Sequence, residues 1–315
     1  MADVIEAVER AHAEHAAGRA VQPNRATVPV GEAGAILPMT AVVPALNACG
    51  LKLLSIFPGN AELGIPSLNA VVLLCDTETG CCEAVIEAGL LTAYRTAAAS
   101  AVATKYLARR DACVLGLVGA GLEARTHLEA MRSVRPIDRV MVWSRTTTSA
   151  ERFSAECDLP IDVVSEVAAV VREADILCTL TPARMPIVRG EWFPAGLHVN
   201  AVGTHWPTHR EIDTEAVTRA RVVVDSRDAN ALECGDLMIP LAEGAITADH
   251  FVAELGELVN GDRPGRESDQ EITMYQSVGV GIQDVAVAKL VLERARQRGI
   301  GADVDLWALE AATTS

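Results

Sequence analysis

The sequence predicts an α/β protein whose main unit is a doubly wound parallel sheet, preceded by a second, mostly β region. Three observations predict this. Between residues 110 and 226, apolar runs of four to seven residues alternate with helical segments, the pattern of strands buried on both faces. A glycine-rich bend, GAGLEA at 119–124, directly follows the first of those runs. From about 25 to 90, short apolar runs are instead broken by Gly, Pro and Asn, the texture of hairpins.

Taken in order, residues 2–17 place Val4, Ile5, Val8 and Ala11 at helical spacing between charged neighbours, which predicts an amphipathic helix. The runs LKLLSIF (51–57) and NAVVLLCD (69–76), with TETG (77–80) as a turn, predict strands. At Thr92 the chain becomes TAYRTAAASAVATKYLARR, which predicts a helix of about four turns with Thr92 as its N-cap and Arg109 and Arg110 at its C-terminal end. Strand CVLGLVG follows, then a helix from about 121, strand RVMVW, a helix from about 147, strand IDVV and a further helix. Strands DILCTLT, LHVNAVG and RVVVDS complete the parallel region. Short helices are expected over 229–259, a strand at EITMYQ, and a final amphipathic helix from about 280 to 298.

The 315 residues are half hydrophobic, enough for two domains at roughly 150 residues each. Forty-two acidic against 27 basic side chains give a net charge of −15, which disfavours nucleic acid and anionic membrane surfaces as partners and favours a small-molecule enzyme. No apolar run approaches the roughly 18–20 residues of a membrane span, and the acidic start MADVIEAVERAHAEH is unlike a secretion signal, so a cytoplasmic location is expected. The eight cysteines include no C-x-x-C pair and read as reduced core residues, with Cys81 and Cys82 a structural part of the turn before EAVIEAG. The close histidine pairs, His12 with His15 and His205 with His209, lack neighbouring ligands at metal-site spacing, so no metal is expected.

In VLGLVGAGLEARTHLEAM, Gly119, Gly121 and Ala124 form G-x-G-x-x-A between a strand and a helix. The first glycine permits the tight turn, the second lets the backbone approach a pyrophosphate, and the alanine allows close helix packing. Free N–H groups of the helix then face the phosphate, so Gly119, Ala120, Gly121, Leu122 and Glu123 are candidate dinucleotide contacts. The second strand ends in VMVWSRTTT, with Ser144, Arg145 and Thr146 where an NAD-selecting carboxylate would stand. Arg145 and two hydroxyls suit a 2′-phosphate, which predicts NADP(H) as preferred with NAD(H) possible; a solvated surface Arg145 is the plain alternative.

Arg95 falls in the predicted first turn of the helix at Thr92, where the macrodipole opposes a cation, so an anion site is expected there. Arg25 and Lys52 lie in the β region. Lys52, flanked by apolar residues in GLKLLSIF, faces solvent from an edge strand or points into a site; the run itself does not choose.

Over nearly its whole length the chain resembles the ornithine cyclodeaminase/mu-crystallin family. The resembling segments are LTAYRTAAASAVATKYLA (91–108), LGLVGAGLEARTHLEA (115–130), VWSRT (142–146), NAVGTHWPTHREID (200–213), DSRDANALECGD (225–236), ELGELVNG (254–261) and ITMYQSVGVGIQDVAVAKLV (272–291). The resemblance implies a substrate-binding and dimerisation domain over 1–108, completed by the C-terminal helix (about 280–315), around an inserted Rossmann domain at 109–279. It implies a homodimer acting on α-amino or 2-imino acids by hydride transfer at the α-carbon. Arg25, Lys52 and Arg95 match basic residues around the substrate carboxylate, and Met39 a residue near the substrate. Ser67 matches a cofactor-contacting hydroxyl, while Thr181, Val202, Ser277 and Val278 match positions along the nicotinamide half of the site, Val278 on the substrate side. VWSRT resembles the segment of NADPH-using mu-crystallin.

One departure is informative. At His205, ornithine cyclodeaminases carry an aspartate that binds the side-chain amine of ornithine. His205 could instead donate a proton to the imine nitrogen, or be a loop histidine bonded to backbone. The leading expectation is therefore a C–N oxidoreductase, a ketimine or cyclic-imine reductase or an amino-acid dehydrogenase, with Lys52, Arg95 and His205 at its catalytic centre. Cyclodeamination of ornithine or lysine with recycled NAD is the second reading, and a non-catalytic NADPH and small-ligand binding protein the third.

Overall fold

In the computed structural model, residues 1–305 are described; the 306–315 part of the expected C-terminal segment lies outside them. The chain begins with α1 (Ala2–Ala16), then β1 (Val28–Val30), β2 (Gly34–Val43), β3 (Ala48–Ile56), β4 (Leu68–Cys75), β5 (Cys82–Glu87) and α2 (Gly89–Leu107). The parallel region follows with β6 (Val114–Val118), α3 (Leu122–Val134), β7 (Arg139–Trp143), α4 (Thr147–Ala155), β8 (Asp162–Val163), α5 (Val167–Glu173), β9 (Ile176–Thr179) and β10 (His198–Ala201). It continues through α6 (Thr214–Arg219), β11 (Arg221–Val224), α7 (Arg227–Glu233), α8 (Gly235–Ala242), β12 (Phe251–Glu254), α9 (Leu255–Val259), β13 (Thr273–Gln276) and α10 (Gly281–Arg298).

Strands β1 to β5 form an antiparallel sheet in sequence order, as the broken apolar runs predict. The second sheet is parallel, ordered β12-β11-β13-β10-β9-β6-β7-β8. Its order reverses at β6, with β7 and β8 on one side and β9 and β10 on the other, so a crevice opens between the C-terminal ends of β6 and β9. Two features go beyond the expected elements. β13 inserts between β10 and β11, and the 229–259 stretch read as helical contains β12. A four-residue run such as FVAE carries too little periodicity to tell strand from helix.

The start of α2 corrects a second expectation. Thr92 does not cap this helix: the helix begins at Gly89, whose N–H donates to Glu87 Oε1 at 2.7 Å, and Thr92 lies inside it. Arg95 therefore sits in the second turn, away from the free N–H groups of the helix end, and the first of those N–H groups is taken by Glu87. The C-terminal end falls at Leu107, ahead of Arg109 and Arg110. There Arg135 donates to the carbonyls of Thr104, Lys105 and Ala108, sharing the first with the Ala108 N–H, at the end where helical partners run out.

Alanines 97–99, 101 and 103 are all fully buried, and their small side chains let α2 serve as a wedge touching α1, α3, α10, β4 and the parallel strands β10 and β13. The N-terminal half of α10 returns from the end of β13 to pack under β2, β3 and β4. This return places a chain segment some 230 positions away directly beneath Lys52. No helix among the described residues is long and apolar enough to cross a membrane.

Candidate active site

Gly119 leaves β6 with φ +122°, and a Cβ there would lie 2.9 Å from the Leu180 carbonyl, so the turn requires glycine. Gly121 immediately precedes α3 and gives it no side-chain cap, and the space a Cβ would enter is open. The first-turn N–H groups are thus presented to whatever occupies that space, and a pyrophosphate fits it in shape and charge. A cleft of about 330 Å³ runs from Gly119, Ala120 and Gly121 past Trp143 to Ser144, Arg145 and Thr146. A second cleft of about 310 Å³ shares its wall at Leu180, Thr181 and Pro182 and continues to Arg25, Arg95 and His205. The two meet end to end, as an extended dinucleotide reaching a substrate would require.

At the far end of the second cleft lies a buried ionic cluster. Lys52, fully buried on β3, donates to Asp284 Oδ1 at 2.8 Å, and the Nε of Arg95 lies 2.9 Å from the same oxygen. Arg95 also donates from Nη1 to Gln283 Oε1 at 2.8 Å. Gln283 in turn donates from Nε2 to Nε2 of buried His12 at 2.9 Å; burial pushes His12 down to about 3, so its ring is the neutral acceptor. Burial, then the nearby Arg95 charge, lowers Lys52 to about 7 against the pull of Asp284. Arg25 pairs with Glu233 and donates to Met39 Sδ at 3.6 Å, and Met39 stands opposite Lys52 in the β2–β3 register. Three basic side chains thus meet two carboxylates, with Lys52 only partly charged at neutral pH. Glu123 faces the same cleft, but burial raises its carboxyl to about 7, so its charge is only partly expressed at neutral pH.

The third wall is the loop from β13 to α10. Buried Asp225, at the end of β11, accepts at Oδ2 from Ser277 Oγ (3.0 Å), Val278 N (3.0 Å) and Gly279 N (2.7 Å). Gly279 has φ +78°, and a Cβ there would meet Arg95 Nη1 at 2.4 Å, so the loop backbone lies flat on the guanidinium.

The loop after β10 places His205 in the cleft, its Nε2 buried and without a hydrogen-bond partner. Burial, followed by Arg25, Arg95 and Lys52, pushes this histidine down to about 3, so the ring is neutral. No hydrogen bond joins its side chain to the described backbone.

The structure therefore brings together Arg25, Met39, Lys52, Arg95 and His205, and lines the adjoining clefts with Glu123, Thr181, Val202, Ser277 and Val278. Ser67 is set apart: its hydroxyl turns to the Pro58 carbonyl, and its neighbour Leu68 reaches the cleft instead. Leu122, in the first turn of α3, is half exposed. Missing from the sequence reading are Asp284, Gln283 and Glu233, which compensate the cations, and Asp225, which shapes the loop. A signal for Asp284 was available: it is the lone acid in the apolar first half of α10, at the helix end that favours a carboxylate.

A glycine bend at the switch point of a parallel sheet, opening into a cleft that ends in buried cations, defines a nicotinamide-dependent oxidoreductase. The chain belongs to the ornithine cyclodeaminase/mu-crystallin family, whose model matches residues 1–299. It is 38% identical over 311 residues to a Delta(1)-pyrroline-2-carboxylate reductase of Bacillus cereus, covering 97% of this chain and 95% of the relative. Among solved structures, the Thermococcus litoralis Delta(1)-pyrroline-2-carboxylate reductase in complex with NADH and L-proline superposes with a TM-score of 0.93 at 41% identity, covering 96% of this chain and 95% of that one. An archaeal alanine dehydrogenase dimer with bound NAD also gives 0.93, at 35% identity and 97% and 95% coverage. The protein is an NAD(P)-dependent oxidoreductase acting on C–N bonds.

Removing the shared carboxylate should be costly, because two buried cations lose their partner. Asp284→Ala is expected to lower the unfolding free energy by about 3–5 kcal/mol in urea titrations. A wild-type urea midpoint in this variant would show that the cluster is not held by Asp284.

Proposed function

We propose that this protein reduces cyclic 2-imino acids of the pyrroline-2-carboxylate class to the corresponding amino acids. The observation that carries this reading is a neutral histidine with an unpartnered Nε2 in the same cleft as Arg25 and Arg95, with Lys52 buried beside them on Asp284. Leu54, Leu68 and Val278 contribute apolar walls that suit a hydrocarbon ring. The pyrroline-2-carboxylate reductase of Thermococcus litoralis, solved with L-proline and NADH, supports the same substrate class.

Arg25, Lys52 and Arg95 hold the carboxylate, which fixes the imine carbon toward the wall at Thr181. Bound at the 119–124 bend, a nicotinamide dinucleotide supplies the hydride in reduction and accepts it in oxidation. The iminium nitrogen already carries its proton and donates this N–H to His205 Nε2. Hydride addition to the carbon then leaves the neutral amine, which takes a further proton from water. His205 thus serves as an acceptor; the proton-donor role suggested by the sequence needs an imidazolium, which burial and then the surrounding cations oppose. For the ammonium side chain of ornithine a neutral imidazole offers a weaker partner than a carboxylate would, so cyclodeamination is the less favoured reading.

For the cofactor, we assign a preference for NADP(H). Arg145 is exposed at the mouth of the first cleft and forms no ion pair with a described residue, and Thr146 and Ser149 offer hydroxyls beside it. For assembly, we assign a homodimer formed by the outer face of the antiparallel sheet. Leu53 pairs with Val71, and Leu73 with Val85, along a face on which Leu53, Val71 and Val85 are 44%, 42% and 66% exposed. In this reading the sheet, α1, α2 and α10 are the substrate and dimerisation unit.

Three measurements test these assignments. With 1-pyrroline-2-carboxylate, kcat/KM should fall as pH rises above about 7, because the Lys52 ammonium that helps hold the carboxylate is lost there. Lys52→Arg, which does not titrate, should move that limb up in pH to the one set by the iminium alone; a limb unmoved in Lys52→Arg, or ammonia released from ornithine without net cofactor oxidation, would overturn the reading. NADPH should show a lower KM than NADH, and Arg145→Ala should raise the NADPH value about tenfold or more while leaving NADH within about twofold; a wild-type preference for NADH sinks the cofactor assignment. Light scattering should find a dimer that Leu53→Asp converts to monomer, and a monomeric wild type would remove the interface.

A further inference from the structure

We propose that Glu211 is a positioning residue that sets the spacing between the dinucleotide half of the site and its substrate half. The inference rests on the oxidoreductase reading above and concerns a side chain that touches neither cleft. Glu211 lies in the loop between β10 and α6 and is fully buried. Its Oε1 accepts from the backbone N–H of Thr181 at 2.7 Å and from the Thr181 hydroxyl at 2.6 Å, while its Oε2 accepts from Gly203 N at 2.9 Å. One carboxylate therefore bridges the loops that leave β9 and β10.

Those loops are where the two clefts meet. Thr181 lines both clefts, and Gly203, with Val202 before it, lines the second. The contact with Gly203 is close: a Cβ there would lie 2.0 Å from Glu211 Oε2 and 2.3 Å from the Thr181 carbonyl, so the carboxylate and both loops interlock around a glycine. Glu211 is itself held rigidly. Its N–H donates to Asp236 Oδ1 at 2.8 Å, and its carbonyl accepts from Ile187 N at 2.8 Å and Val188 N at 3.0 Å.

Stability alone is a weak reason for this arrangement. Burial raises Glu211 to about 8, with Asp236 adding to the rise and the hydrogen bonds of Thr181 opposing it. At neutral pH the group is therefore largely the neutral acid, costly to bury without a cationic partner but with both oxygens still able to accept. What an apolar side chain of similar size could not supply is acceptors for three donors on two separate loops. Without them the Thr181 and Gly203 N–H groups lose their partners, and the wall against which a nicotinamide ring would rest is free to shift.

Glu211→Gln tests this at nearly constant volume. Its amide offers one acceptor and one donor, so either Thr181 or Gly203 meets a donor where it needs an acceptor. In the full-length protein, with whichever reduced cofactor the wild type prefers, the expected result is cofactor binding weakened about tenfold, with altered nicotinamide fluorescence in the bound state. Turnover of 1-pyrroline-2-carboxylate should fall at least about tenfold with a larger isotope effect from 4-deuterated cofactor, while the substrate KM stays within about twofold because the carboxylate-binding cations do not touch Glu211. Thr181→Val removes only the hydroxyl bond and should move the same readouts in the same direction by less; it carries the test if Glu211→Gln fails to fold. Wild-type cofactor affinity, bound fluorescence and isotope effect in the folded variant overturn the proposal. A wild-type protein that reduces no imino acid would overturn the functional reading, while the cofactor-binding arm would still decide on Glu211.

Discussion

The buried contact of Lys52 and Arg95 with one oxygen of Asp284 is the constraint on which the rest of the site depends. It joins β3, α2 and the first turn of α10, elements that share no local sequence, and it does so where water is excluded. Bringing three charged groups out of water is costly, and the fold offsets this by completing their hydrogen bonds: Gln283 receives one arm of Arg95, His12 receives Gln283, and the helix end of α10 favours the carboxylate. The geometry that results is directional. Arg95 meets Asp284 through Nε and also lines the cleft, so an incoming anion reaches the cluster through Arg95.

Charge is distributed to the same end. The chain as a whole carries −15, a field that repels an anionic substrate at distance, yet the clefts end in a surplus of positive charge. Carboxylates near the site are turned away from it. Asp225 spends its oxygens on the 277–279 loop and on Asn230, and Glu233 faces Arg25. Glu123, the acid most open to the cleft, is held near the middle of its titration. The local field is thus built by neutralising acids internally rather than by adding bases.

How much of this was legible in the sequence follows from the range of the interactions. The parallel sheet, the glycine bend and α10 were readable because each is set by periodicity or a short motif, as at 114–124 and 281–298. β12 escaped because four residues carry no period, and the start of α2 was misplaced because its cap comes from Glu87, outside the helix, while Thr92 only looked like a cap. For the site, Arg25, Lys52 and Arg95 were found as cations and through family resemblance, whereas their partners Glu233 and Asp284 were not. A pairing between residues 52 and 284 leaves no trace in local spacing. The position of Ser67 likewise depends on how the turn at 58–66 folds back, which no motif announces.

Burial and the positive field lower both bases of the site, and a carboxylate beside only one of them gives the site its division of labour. His205 can lose its charge altogether, and burial together with Arg25, Arg95 and Lys52 makes it do so, leaving a neutral ring in the cleft with its Nε2 unpartnered. Lys52 feels burial and Arg95 in the same direction, but Asp284 restores part of what they remove, so it stops near neutrality rather than far below. By linkage, an anion that prefers the ammonium also makes the ammonium easier to form, so carboxylate binding and protonation of Lys52 reinforce one another. A histidine given a carboxylate partner of its own would be charged and would compete with an iminium for the same anion. Leaving His205 unpaired while Lys52 is paired keeps one group available to accept a hydrogen bond and the other available to attract a carboxylate.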